Sequence, residues 1–104
     1  MMKFVTRGIY MTCGIQADLK EEEISNDDIK NCLERHFQNK GDECYQDRAY
    51  NHQAIKNKEG RVFSVFNNVK GKKIYVITEG LHLANDPEHG RTYPMTTILY
   101  PEEY

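Results

Sequence analysis

Apolar and polar positions follow two different periods along this chain, and the places where the period changes mark its elements. Residues 3 to 13 alternate: Val5, Ile9, Met11 and Cys13 share one side, and Phe4, Thr6, Gly8, Tyr10 and Thr12 share the other, so a first strand is expected, ended by Gly14. Residues 16 to 24, around Asp18-Leu-Lys-Glu-Glu-Glu23, are acidic without a clear period and read as a solvated connection with room for a helical turn. Ser25 then has the chemistry of an N-cap, and Asn26, Asp27 and Asp28 put negative charge at the positive end of a helix dipole. Ile29, Cys32, Leu33, His36 and Phe37 recur at spacings of three and four, forming one apolar stripe that Asn39-Lys40-Gly41 terminates.

A second helix is predicted from Glu43 to Asn57, with Tyr45, Ala49, His52 and Ile55 or Lys56 facing inward. The short link between the two helices predicts an antiparallel αα-hairpin. From Gly60 the period becomes two: Arg61–Phe66 and Lys73–Ile77 flank the turn-rich Asn67–Lys72, a β-hairpin. A polar excursion follows Glu79 and ends in Pro94, and Met95-Thr-Thr-Ile-Leu-Tyr100 closes the chain as a paired strand. The fold class expected is α+β, an antiparallel sheet of about four strands with an αα-hairpin packed on one face. Its 104 residues make one domain, 1–104, with no internal repeat and no linker.

With these elements placed, the chain resembles a family of small bacterial proteins carried largely on plasmids and integrated mobile elements, with borrowed labels such as "plasmid-related protein" or "restriction subunit M". The matching residues are Gly8-Ile9-Tyr10, Arg35-His36, Gly41-Asp42, Asp47 with Asn51 and Ala54, Gly60-Arg61-Val62 with Ser64, Lys73–Glu79, and Thr96-Thr-Ile-Leu99 with Pro101-Glu-Glu-Tyr104. The chain departs from the family pattern at Glu43-Cys44, where an aromatic and a second glycine are usual, and at the inserted 81–94 excursion. The resemblance implies the fold and a mobile-element setting, not a reaction. A methyltransferase is not implied, since the chain is too short for that fold and has no glycine-rich cofactor loop.

Composition narrows the function classes. A formal net charge of -2 is neither the basic excess of a nucleic-acid binder nor the acidic excess of a DNA mimic. Mean hydropathy of -0.78 and the lack of a long apolar run or signal-peptide h-region suit a cytoplasmic chain with no membrane partner. Three irregularly spaced cysteines, Cys13, Cys32 and Cys44, read as reduced, mostly packed thiols.

The most suggestive constellation is Arg35, His36, Asp42, Asp47 and Asn51, which an αα-hairpin brings together: an Arg beside carboxylates pairs bidentately, and a His held by Asp serves as general base. The competing reading is structural, with Arg35 and His36 complementing the helix dipole and Asp42 capping the second helix. Zinc bound by His36, Cys44 and His52 is disfavoured, because Cys44 and His52 lie about 12 Å apart along one helix. Lys70, Lys72 and Lys73 beside Arg61 make a small basic end to the hairpin. His82, His89 and Tyr93 in the excursion complete the candidate binding residues, and Tyr75, Tyr93, Tyr100 and Tyr104 offer an aromatic surface. The expectation is a non-enzymatic accessory protein without cofactor or metal, binding a macromolecule. A protein partner is favoured over nucleic acid, and the alternative is a small hydrolase built on Arg35, His36, Asp42 and Asp47.

Overall fold

The computed structural model describes residues 2–84, 86–88 and 92–104. Three helices and four strands follow in the order β1 (Gly8–Met11), α1 (Cys13–Lys20), α2 (Asn26–Phe37), α3 (Tyr45–Asn57), β2 (Val62–Val69), β3 (Lys72–Glu79) and β4 (Met95–Leu99). Short 3-10 turns occupy Leu81–Leu83 and Pro101–Glu103. The fold is α+β. The sheet, in the order β1-β4-β3-β2, is mixed rather than wholly antiparallel, which corrects the sequence expectation.

The β2–β3 hairpin turns through Lys70 and Gly71, at φ 54° and 81°. Two consecutive left-handed residues match the strand twist, as in a type I′ turn, and Gly71 takes that conformation without a Cβ penalty. The terminal strand β4 pairs antiparallel with β3, Thr78 opposite Thr96. It pairs parallel with β1, Gly8 opposite Met95, so the last strand lies inside the sheet. Parallel pairing needs a long crossover, and nearly the whole chain serves as one here.

Alternation along the strands puts Val62, Ser64 and Phe66 of β2, Ile74, Val76 and Thr78 of β3, and Thr96 and Ile98 of β4 on one buried face. Ile15 of α1, Ile24, and Ile29 and Cys32 of α2 cover it, with Tyr100 at its margin. α2 begins as expected: Ser25 Oγ accepts from Asp28 N–H at 3.1 Å, and Asp28 returns a bond to Ser25 N–H at 3.0 Å, a reciprocal capping box. The first strand is shorter than expected. The chain turns into α1 at Cys13, where Glu103 at the far end of the sequence accepts from Thr12 Oγ1 at 2.6 Å and Gly14 N–H at 3.1 Å.

α3 presents a different face from the one expected. Tyr45 is 89% exposed, and Ala49 and His52 are exposed as well. Its buried residue is Asn51, with Ala54 and Ile55 half-buried. The cause is location: α3 packs beside the edge of β2, where a side chain that satisfies main-chain polar groups is needed more than an apolar one.

Candidate functional site

The Arg35, Asp42, Asn51 part of the sequence-derived cluster converges on the outer edge of β2. Asn51 Oδ1 accepts from Phe63 N–H at 2.9 Å while its Nδ2 donates to Phe63 C=O at 2.8 Å, as a neighbouring strand would. Two residues on, Asp42 N–H donates to Val65 C=O at 2.6 Å and Glu43 Oε1 accepts from Val65 N–H at 3.1 Å. Asp42 Oδ2 accepts from Asn67 N–H at 2.9 Å, and its Oδ1 pairs with Arg35 at 2.8 Å. The Asn67 bond, followed by Arg35, holds the Asp42 carboxyl below the ordinary range. Side chains and the Asp42 N–H thus fill successive ladder positions of an edge strand, a known protection against strand addition. Asp47 does not join them; it is exposed in the first turn of α3, where it complements the dipole.

Glu43 belongs to this edge and was missed from the sequence. Its side chain is fully buried, with Arg48 Nε 3.5 Å from Oε2. A Cβ on Gly41 would lie 2.1 Å from Glu43 Oε1, so the absence of a side chain there admits the carboxylate. The usable signal was Gly41 two residues before Glu43, ahead of the helix.

His36 is sealed in the core at 0% exposure. Its Nδ1 lies 2.7 Å from Ser64 Oγ and its Nε2 2.7 Å from Thr78 Oγ1. Thr78 continues to Thr96 at 2.7 Å and Thr96 to Thr6 at 2.7 Å, and Thr6 ends on Gly8 C=O at 2.8 Å and Pro94 C=O at 3.1 Å. A carbonyl can only accept, which orients the row. Thr6 donates to carbonyl, Thr96 to Thr6, Thr78 to Thr96, so His36 Nε2 carries the proton and Nδ1 accepts from Ser64. The imidazole is neutral, and burial pulls its pKa from 6.5 down to about 3. Phe4 closes the pocket edge-on, 5.2 Å from the imidazole and 5.3 Å from Phe37. With both nitrogens engaged and no solvent access, this geometry does not provide the accessible general base that the hydrolase alternative requires.

The remaining candidate residues are scattered. Lys70 and Lys73 are exposed at the hairpin end, while Lys72 is 3.5 Å from Asp18 and stacks over Tyr100. His82 is exposed beyond the other end of β3, about 24 Å away by strand rise. Tyr93 is half-buried against Gly80. His89 falls outside the described residues. Tyr100 lies in the core, whereas Tyr75 and Tyr104 meet Phe63 on the outer sheet face, so the tyrosines form no single surface. Of the thiols only Cys32 is buried, its pKa raised to about 11 by burial; Cys13 and Cys44 are exposed. Among the described residues no three His, Cys, Asp or Glu side chains could share a metal ion, and no helix is long and apolar enough to cross a membrane.

Two concavities flank the N-terminal segment, which Lys3 N–H anchors to Phe37 C=O at 2.8 Å. One, about 380 Å³, is lined by Lys3, Asn39, Tyr45, Arg48, His52 and Gln53. The other, about 260 Å³, sets Phe4, Ile55 and Leu81 among Lys3, Arg7 and Lys58. Sequence reading missed both, because residues 3 to 7 pattern as a strand and gave no hint of a segment crossing towards α3. Beside them β1 and the segment before it carry exposed apolar side chains: Val5 at 63%, Ile9 at 46% and Tyr10 at 64%. No family model matches the chain, and neither does any curated protein or solved structure.

Proposed function

We propose that this chain is a non-enzymatic accessory protein of a bacterial mobile element, acting by binding another protein. The observation that carries the reading is the exposed apolar group Val5, Ile9 and Tyr10 at and beside a sheet-edge strand. An edge strand with unburied apolar side chains is the arrangement that strand addition and protein docking use. The mobile-element setting rests on the sequence resemblance. Nucleic acid is the weaker partner: net charge is -2, and Lys72 of the lysine turn is already paired with Asp18.

The test is affinity capture from bacterial lysate with the native chain and with Tyr10→Glu, whose exposed side chain leaves the core alone. The native chain recovers a reproducible partner and the variant loses it. Repeated capture with no specific partner counts against the reading.

A further inference from the structure

The two concavities meet at Lys3, and their linings share a sign. Lys3, Arg7, Arg48 and Lys58 contribute cationic groups and His52 a ring N–H, while among the described residues no Asp or Glu lines either one. That is a local bias on a chain whose acidic residues outnumber its basic ones, 16 to 14. Arg48 is partly spent on Glu43 and Gly41 C=O; Lys3 and Lys58 are exposed. The larger volume falls in the range of ligand sites. The smaller offers Phe4, Ile55 and Leu81 as an apolar seat.

One further group lacks a partner. Asn39, 6% exposed, donates its Nδ2 to Arg48 C=O at 3.3 Å, which fixes the orientation of the amide. Its Oδ1 then meets no donor at the wall of the larger concavity. A buried acceptor without a donor is costly, and Asn39 is one of the residues that line the larger concavity.

We propose that these adjoining concavities bind an acidic, extended peptide segment of a partner protein, its carboxylates against Lys3, Arg7 and Lys58 and one apolar side chain seated on Phe4, Ile55 and Leu81. The assignment rests on the protein-binding reading and names the chemistry of the partner. A peptide supplies carboxylates, an apolar anchor and main-chain N–H groups together, and charge complementarity selects the acidic kind.

The experiment is fluorescence anisotropy of the full chain with a labelled peptide of Glu and Gly around one Leu, and with its Lys-for-Glu counterpart. The acidic peptide binds and its affinity falls with added salt, while the basic one does not bind. Replacing Lys3 and Arg7 together by Glu weakens binding by about tenfold or more. Asn39→Gly keeps the left-handed backbone at φ 55° and weakens it several-fold. No binding of the acidic peptide, salt-independent binding, or equal affinity for the charge-reversed variant overturns the proposal. Equal binding of a single-stranded oligonucleotide overturns the peptide assignment. If the charge-reversed chain still captures the lysate partner in full, this site is wrong while the protein-binding reading stands.

Discussion

The two edges of this sheet are built on opposite principles. Along β2, Asn51, Asp42 and Glu43 occupy the outward ladder positions of Phe63, Val65 and Asn67, so the strand is finished by their side chains and the Asp42 N–H. Along β1 only four residues are paired, Met11 C=O is taken by Gln16 at 2.7 Å, and Ile9 and Tyr10 stand in solvent. Both edges face the same hazard of unwanted strand pairing. The first meets it with dedicated polar groups, at the cost of burying a carboxylate. The second is merely short. The proposed protein contact at β1 is consistent with this unequal treatment.

The largest expected effect comes from acid, because the row from Ser64 on β2 to Thr6 before β1 runs through His36 and ties the two edges together. His36 has a folded pKa of about 3 against 6.5 unfolded, so the unfolded chain binds the extra proton between those values. Its contribution is whole above pH 6.5 and declines by about 1.4 kcal/mol per pH unit as pH falls towards 3. Urea unfolding at pH values between the histidine and carboxylate ranges measures this. A flat profile there contradicts the neutral, buried assignment.

Next in size, Asn51→Ala leaves the Phe63 N–H and C=O without partners and costs about 2–3 kcal/mol. It also makes β2 available, so self-association rises with concentration in analytical ultracentrifugation. Destabilisation without association would show that the plug serves stability alone. Gly41→Ala drives a Cβ into Glu43, frees Val65 N–H and costs about 1–2 kcal/mol in chemical denaturation. Smallest is Ile9→Lys on β1, which stays within about 0.5 kcal/mol of native stability yet reduces partner capture. A loss there as large as that of Asn51→Ala would erase the distinction between the edges.

Where a local rule was sufficient, sequence reading found the element. Ser25 with Asp28, the Ile29-to-Phe37 stripe and the turn-rich segment before Lys73 each specify their structure within a few residues. α1 escaped because its eight residues hold only Ile15 and Leu19 as large apolar positions, too few for a period to show. The parallel β1–β4 pair was illegible for another reason: nothing in Gly8–Met11 names a partner strand more than eighty residues away. Of the expected cluster of Arg35, His36, Asp42, Asp47 and Asn51, only Arg35, Asp42 and Asn51 meet at the β2 edge, and the target there is main chain. A carboxylate or amide that serves a backbone has the same sequence appearance as one awaiting a ligand. His36 on the apolar stripe carried the warning, since its two hydroxyl partners, Ser64 and Thr78, came from two separate strands and could only be matched to it in space.

The oriented row through His36 has a collective consequence. Each hydroxyl owns a single proton and has already given it to its neighbour, so no link can turn round without obliging the next to do likewise. The five groups therefore behave as one unit, held in a single sense by the carbonyls of Gly8 and Pro94. Exchanging Ser64, Thr78 or Thr96 for a residue of equal shape without a hydroxyl leaves its direct neighbours in the row without a partner. Related chains that keep this architecture should alter these positions in concert, or leave them all untouched.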